Sequence, residues 1–250
     1  MTGRRGYVVL GTPRSGTSHL CRLLAATGVL GRPREYLNPA MQHLVADTAA
    51  AATGDMWESI YQASHTPNGV WALKTFHEQL AESTVWRRVL ASNVVFISRN
   101  DKLGQAISLA RARRTGQWTA TDEPCASPVY DAAQIDRALY DIVLQEATLR
   151  QMLARAGTRV LWLVYEQYHP QPDTAVAEVA QFVGVTDRRQ AGHSPLTIQR
   201  DQISEDWRRR YLAERADFAD FPLFEPEDRW SRAGRLLRRA KRSLPLLGKW

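Results

Sequence analysis

Near its start the chain has a strand-like run, a glycine-containing loop and a helical pattern in immediate succession, and this order constrains the fold most. Residues 7–10 are apolar or aromatic and predict a buried strand; residues 11–16 hold two glycines and a proline; residues 19–24 begin a helical apolar pattern. A helix that starts directly after such a loop presents unpaired backbone N–H groups and the positive end of its dipole. We therefore predict an anion-binding loop at residues 11–18, although a structural strand-to-helix turn has the same pattern.

The residue types in this loop favour one kind of anion over another. Gly11 and Gly16 keep the glycine spacing of the nucleoside triphosphate loop, G-x-x-x-x-G-K-[ST], but Thr17 stands where that loop has its lysine. The lysine serves a triphosphate whose charge Mg²⁺ also balances, so its absence argues against a kinase. Arg14 at the loop apex fits a smaller anion, such as a phosphosulfate, that needs no metal. The loop also offers hydroxyl donors, on Ser15, Thr17 and Ser18.

Apolar runs that alternate with helical patterns predict the fold class. Three further strand-like runs follow the first, at residues 70–74, 94–98 and 159–165. Helical patterns accompany them, at residues 40–66, 131–156 and 172–183. Continuous apolar strands are typical of a parallel sheet that is covered on both faces. We therefore predict an α/β fold: a P-loop-like, doubly wound sheet, mostly parallel, with helices on both faces.

The net charge of +7 is concentrated at the end of the chain. Residues 229–250 carry eight Lys or Arg and no acidic residue, which leaves 25 basic and 26 acidic groups in residues 1–228. We predict that residues 1–228 form one nearly neutral domain, which argues against nucleic-acid binding. Residues 229–250 predict a basic amphipathic tail, which either lies on an anionic membrane surface or is partly disordered or packed in a homodimer.

No feature of the sequence predicts secretion, a membrane span or a metal. The apolar run after Arg4 and Arg5 is too short for a signal peptide, and no window approaches the length of a transmembrane helix. We therefore expect a cytoplasmic protein, with a peripheral position at the inner membrane face left open by the tail. Neither the two cysteines, Cys21 and Cys125, nor the six histidines show metal-ligand spacing, so we expect no metal.

Residues outside the loop supply a second anion motif and a carboxylate. Arg99 follows the third strand-like run and Ser108 lies on the helix after it, so a guanidinium and a hydroxyl could converge on one phosphate. Lys74 stands at the carboxyl end of the second run. Glu35 is the one carboxylate of residues 31–39, a loop that can fold back over the strand ends, where open α/β sheets bind ligands. Taken alone, Glu35, Arg99 and Ser108 are each more often solvated surface side chains than functional ones.

Three motifs in order resemble those of the sulfotransferases that use 3′-phosphoadenosine 5′-phosphosulfate (PAPS). Residues 11–18 look like their phosphosulfate loop, and residues 99–108 look like their 3′-phosphate motif, with an arginine after a strand and a serine on the next helix. Residues 164–184 resemble their strand-to-helix stretch near the sheet edge. The closer likeness is to the bacterial trehalose 2-sulfotransferase family, which residues 66–74 and 199–207 also match and whose phosphosulfate loop carries an arginine.

The resemblance implies a reaction and roles for individual residues. Glu35 falls on the family's catalytic-base motif, and a positioned carboxylate there would take the proton of an attacking sugar hydroxyl. Arg14 and the loop amides would stabilise the charge that builds on the leaving phosphate. PAPS would be the sulfuryl donor and its bisphosphate, PAP, the product, on a carbohydrate or glycolipid acceptor. The residues implied in donor binding are Arg14, Ser15, Gly16, Thr17, Ser18, Arg99 and Ser108.

Two other functions stay open, a P-loop small-molecule kinase and a nucleotide-binding or membrane-docking protein without catalysis. The absent lysine argues against the kinase, and Glu35 together with both anion motifs argues against a mere binder, which needs no base. His77 and His169 are alternative bases. The acceptor does not carry over from the resemblance, because the segments between Pro39 and Thr66 and between Arg113 and Val129 do not follow the trehalose enzyme, and such segments usually shape the acceptor pocket.

Overall fold

The computed structural model describes residues 4–81, 85–119, 122–186 and 201–216, and four parallel strands form the sheet within them. The strands are β1 (Gly6–Gly11), β2 (Trp71–Phe76), β3 (Asn93–Ser98) and β4 (Val160–Val164). Their order in the sheet is β2-β1-β3-β4, and each neighbouring pair is parallel. The strand before the predicted anion loop is therefore internal to the sheet, and all six of its residues are buried.

Helices follow every strand of the sheet. They are, in chain order, α1 (Thr17–Ala26), α2 (His43–Ala46), α3 (Met56–Ser64), α4 (His77–Ala81), α5 (Trp86–Leu90), α6 (Lys102–Thr115), α7 (Ala132–Ala156), α8 (Tyr165–Tyr168), α9 (Pro172–Val183) and α10 (Gln202–Glu214). Two short 3₁₀ turns lie at Pro39–Met41 and Ala49–Thr53. The predicted helices at residues 131–156 and 172–183 correspond to α7 and α9.

The prediction of one helical segment at residues 40–66 is wrong. The structure divides it into a 3₁₀ turn, α2, a second 3₁₀ turn and α3. Gly54 ends the second turn with a φ of 72°, and the side chain of Asp55 then caps α3 by accepting hydrogen bonds from Trp57 N and Glu58 N. The alanine content of this segment favours a helix, but Gly54 is a helix stop signal and Asp55 directly after it is a helix start signal.

Two apolar cores lie on opposite faces of the sheet. Alternate residues of β1 point to opposite faces. Tyr7 and Val9 belong to a core that includes residues of α1 and α9, whereas Val8 and Leu10 belong to a core that includes residues of α3, α5 and α7. Helices therefore cover both faces, and the predicted doubly wound α/β fold is confirmed.

The C-terminal part of the chain is described only in part. The chain divides by its internal contacts into a unit from Met1 to Arg208 and a second unit from Arg209 to Trp250. Within the second unit the structure describes residues 209–216. The predicted boundary at residue 228 and the amphipathic tail at 229–250 lie outside the described residues and stay predictions. No described helix is long and apolar enough to cross a membrane.

Candidate active site

The loop between β1 and α1 has the backbone geometry of an anion cradle. Arg14 and Gly16 lie in the left-handed region, with φ of 65° and 95°. Gly16 occupies the N-cap position of α1, and no side chain caps that helix. A Cβ atom on Gly16 would lie 2.3 Å from the ring of Tyr165, so both its backbone angle and its surroundings require glycine. The amides at the start of α1 are therefore arranged as in helix N-termini that bind oxyanions.

A cavity of about 680 Å³ opens beside this loop, on the side where β1, β2 and β3 end. Its wall includes most of the residues that the sequence singled out: Arg14, Gly16, Thr17, Ser18, Glu35, Arg99 and Ser108. Ser15 is different, because it is fully buried and does not line the cavity. The volume of the cavity lies in the usual range for small-molecule sites. The structure thus brings both anion motifs and the carboxylate to one cavity.

Arg14 joins the loop to the second anion motif. Its Nε donates to Ser108 Oγ at 2.8 Å, and its Nη1 donates to the carbonyl oxygen of Trp118. Arg99 Nη1 in turn donates to the carbonyl oxygen of Arg14 at 3.4 Å. Burial lowers the pKa of Arg14, and the nearby charges of Arg99 and Arg111 lower it further. Cations held this close to one another favour an anion between them.

The backbone N–H groups at the start of α6 already donate hydrogen bonds to carboxylates of the protein. Glu166 accepts hydrogen bonds from Asn100 N at 2.9 Å and Asp101 N at 3.1 Å. Arg208 donates to both carboxylate oxygens of Asp101, at 2.7 and 2.6 Å. Burial raises the pKa of Asp101, but its hydrogen bonds to Arg208 and the α6 backbone outweigh burial and lower it overall. An anion near Arg99 would therefore be met by side chains rather than by the amides of α6.

Glu35 is held as a carboxylate beside the start of α1. Lys74 Nζ lies 2.7 Å from Glu35 Oε1 and donates to Ser18 Oγ at 2.8 Å. Gln79 and Asn38 donate to Glu35 Oε2 at 2.9 and 3.2 Å. Burial raises the pKa of Glu35, but the charge of Lys74 and the three hydrogen bonds outweigh burial and lower it overall. Both oxygens are oriented, and the carboxyl is ionised near neutral pH.

The register of the sheet explains how Lys74 reaches this position. It lies on β2 opposite Val9 of β1, and its backbone N–H donates to the carbonyl oxygen of Arg34 at 3.0 Å. That bond brings the segment carrying the carboxylate against β2. An ammonium group thus lies near the start of α1 even though Thr17 replaces the lysine of the triphosphate loop. Its sequence signal is a single lysine in an otherwise apolar run, which does not reveal its partners, and Lys74 was not among the predicted site residues.

The two histidines considered as alternative bases lie in different places. His169 lines the cavity, and the centroid of its ring lies 5.3 Å from that of His19 and 5.1 Å from that of Tyr165. His77 begins α4 and does not line the cavity. Glu35 differs from both by its ion pair with a buried lysine.

Comparison with known proteins gives relatives over most of the chain. The trehalose 2-sulfotransferase of Mycobacterium tuberculosis is 28% identical over 255 residues, which cover 84% of this chain and 95% of the relative. The trehalose 2-sulfotransferase of Mycolicibacterium smegmatis is 26% identical over 250 residues, covering 82% of this chain and 93% of the relative. Both relatives are thus matched over nearly their whole length.

Solved structures and a family model complete the comparison. The sulfotransferase domain of the Synechococcus PCC 7002 olefin synthase has a TM-score of 0.40 and 16% identity, over 83% of this chain and 89% of that one. Retinol dehydratase in complex with retinol and PAP has a TM-score of 0.38 and 14% identity, over 100% of this chain and 84% of that one. The model described as Stf0 sulphotransferase matches residues 6–86 and 81–214. The sulfotransferase family expected from the three sequence motifs is thereby confirmed, and the chain belongs to the Stf0 sulphotransferase family of enzymes.

Proposed function

We propose that the protein transfers a sulfuryl group from PAPS to a hydroxyl group of a carbohydrate such as trehalose. The observation that carries the proposal is the ion pair of Glu35 with buried Lys74 in the same cavity as Arg99 and Ser108. The two relatives named as trehalose 2-sulfotransferases support a sugar acceptor. A glycolipid acceptor, membrane contact through residues 229–250, a homodimer and a cytoplasmic location stay predictions from the sequence.

The cavity residues fit the two charged ends of PAPS. The backbone N–H groups at the start of α1 and the hydroxyls of Thr17 and Ser18 suit the 5′-phosphosulfate, and Arg99 and Ser108 suit the 3′-phosphate. Arg99 Nε is buried and makes no hydrogen bond within the described residues; Glu166 Oε1 lies 3.6 Å from it, beyond hydrogen-bond distance, and a phosphate oxygen at shorter range would satisfy it. Because the guanidinium of Arg14 contacts Ser108, we assign Arg14 to both phosphates of the donor rather than to the leaving phosphate alone.

The chain's own residues supply position and charge for an in-line transfer, in which PAPS provides the sulfuryl group. Glu35 accepts the proton of the acceptor hydroxyl as that oxygen bonds to sulfur and the bond from sulfur to the bridging phosphate oxygen breaks. Lys74, Arg14 and the loop amides stabilise the negative charge that moves to the departing phosphate. Gln79 and Asn38 orient the carboxylate through their hydrogen bonds to Oε2.

The purified protein should transfer labelled sulfate from PAPS to trehalose, or to another member of a panel of disaccharides, glycolipids and phenols, at the same rate in excess EDTA. Side-chain cations of the cavity wall, among them Lys74, Arg14 and Arg99, balance the donor's charge without a divalent metal. A P-loop kinase would instead need Mg²⁺ and ATP, so phosphoryl transfer from ATP that EDTA abolishes would contradict the proposal. Binding of PAP without transfer to any acceptor would favour the non-catalytic alternative.

Replacing Ser108 by alanine should weaken PAP binding about tenfold, because one hydrogen bond to a charged group is lost, and should leave AMP binding unchanged. Isothermal titration with both nucleotides measures this. Ser92→Ala is the matched control, since Ser92 Oγ donates to the carbonyl oxygen of Arg88 and does not line the cavity. Equal losses for PAP and AMP would show that Ser108 does not act on the 3′-phosphate.

A further inference from the structure

Gln105 is a fully buried polar residue of α6 whose amide is directed at the anion loop. Its Nε2 donates to the carbonyl oxygen of Pro13 at 2.7 Å and to Thr12 Oγ1 at 2.8 Å. Its Oε1 is buried without a hydrogen-bond partner among the described residues. Burying a side-chain amide with half of its hydrogen-bonding capacity unused costs free energy. The two hydrogen bonds to the loop are therefore the contacts that explain a glutamine at this position.

The loop needs such support because Arg14, the residue after Pro13, has an unfavourable backbone conformation. Arg14 holds a φ of 65°, a left-handed conformation that costs a residue with a side chain about 1–2 kcal/mol. Gln105 fixes the peptide that precedes it, at Pro13, and Arg99 donates to the carbonyl oxygen of Arg14 itself. The left-handed turn is therefore anchored on both sides by groups outside the loop.

Helix α6 also binds the side chain of Arg14. Ser108 lies three residues after Gln105, which places the two on one face of α6. Ser108 Oγ accepts the hydrogen bond from Arg14 Nε, while Gln105 holds the backbone immediately before Arg14. One turn of α6 thus fixes both the loop backbone and the direction of the arginine that leaves it.

We infer that Gln105 is a positioning residue that sets the spacing between the two phosphate pockets, by tying the loop of residues 11–18 to the helix that carries Ser108. This inference rests on the proposed function, because the spacing matters only for a donor with phosphates at both ends. With the loop tied down, PAP meets two pockets whose separation is fixed before it binds. Without the tie, each pocket survives but PAP must bring the two to the correct separation on binding, a cost that AMP, which has a phosphate in the loop alone, does not bear.

Gln105→Met tests the inference, because methionine keeps the length and volume of the side chain and removes the donor. We expect PAP to bind about tenfold more weakly and AMP to lose clearly less, so that the preference for PAP falls. The kcat/KM for PAPS should fall in parallel, with the KM of the sugar acceptor unchanged. Leu109→Met, a buried volume-conserving change on the same helix, is the control and should keep wild-type values.

Thr12→Val tests the same contact from the other side if Gln105→Met folds poorly. It removes one of the two oxygens that Gln105 binds, and a loss of PAP affinity of about threefold is expected. Equal losses for PAP and AMP, or a lowered melting temperature with unchanged affinities, would overturn the inference while leaving the proposed function intact. A wild-type protein with no preference for PAP over AMP would overturn both.

Discussion

Replacing Glu35 by glutamine is expected to lower kcat for sulfuryl transfer about 100- to 10,000-fold, the range that loss of a general base usually costs. Glutamine keeps the size of the side chain and an oxygen that can still accept from Lys74, so the protein should remain folded. It cannot accept the proton of the sugar hydroxyl. Affinity for PAP should change little, because the base acts on the acceptor.

The test of Glu35 compares kcat, PAP affinity and melting temperature with those of Glu78→Gln. Glu78 also lines the cavity, but its Oε1 accepts from Gln145 and it has no part in the proposed chemistry. The control should turn over like the wild type. Near-normal turnover by Glu35→Gln would remove Glu35 as the base, and His169, which lines the same cavity, would become the next candidate.

A base with a lowered pKa fits this reaction. A carboxylate that stays ionised is always available as an acceptor, but it draws a proton only weakly from a free sugar hydroxyl. As the oxygen bonds to sulfur, that hydroxyl becomes acidic, and the proton can then pass to Glu35. Lys74 therefore keeps the base in its working form, while the loop amides and cations carry the charge of the transition state.

The fold could be read from the sequence where local signals agreed. Pro172 at the first helical position and Gly184 just past the end, with a φ of 73°, mark α9 at both ends. The loop between β1 and α1 was predictable for the same reason, since its glycines and the apolar runs on either side leave few other geometries. The segment at residues 40–66 failed because helix propensity was read over a Gly54-Asp55 break that has the stronger local effect.

The contacts within the site could not be read in this way, because they depend on tertiary register. Glu35 and Lys74 lie 39 positions apart, and they meet because a backbone hydrogen bond sets the segment of Arg34 against β2. The sequence placed Arg14 in the anion loop but gave no direction for its side chain, which crosses to Ser108 on α6. Likewise a glutamine inside a helical pattern gives no sign that its amide supports a loop.

Replacing Lys74 by methionine is expected to lower kcat about 100- to 1,000-fold, the usual cost of one donor that stabilises charge in a transition state. It should also destabilise the protein by about 3 kcal/mol near neutral pH, because the carboxylate of Glu35 loses its partner in a largely buried setting. The side chains of the pair are only 7% and 23% exposed, so solvent compensates little. Lys102→Met, which breaks the ion pair with Glu146 outside the cavity wall, is the matched control.

The pH dependence of stability and of kcat/KM distinguishes loss of the Lys74 charge beside Glu35 from a general loss of structure. In the wild type the pKa of folded Glu35 lies below its ordinary 4.5, so the pair contributes its full stability above pH 4.5 and loses it as the pH falls through the lowered value. In Lys74→Met both contributions of Lys74 are gone, burial still raises that pKa, and only the hydrogen bonds of Gln79 and Asn38 oppose burial, so the pKa moves up from its wild-type value. The stability that the pair contributes above pH 4.5 should shrink, and the acid limb of kcat/KM should move to higher pH. Melting curves and rates from pH 4 to 8 measure both, and an acid limb unmoved from that of the wild type would contradict the pairing of Lys74 with the catalytic base.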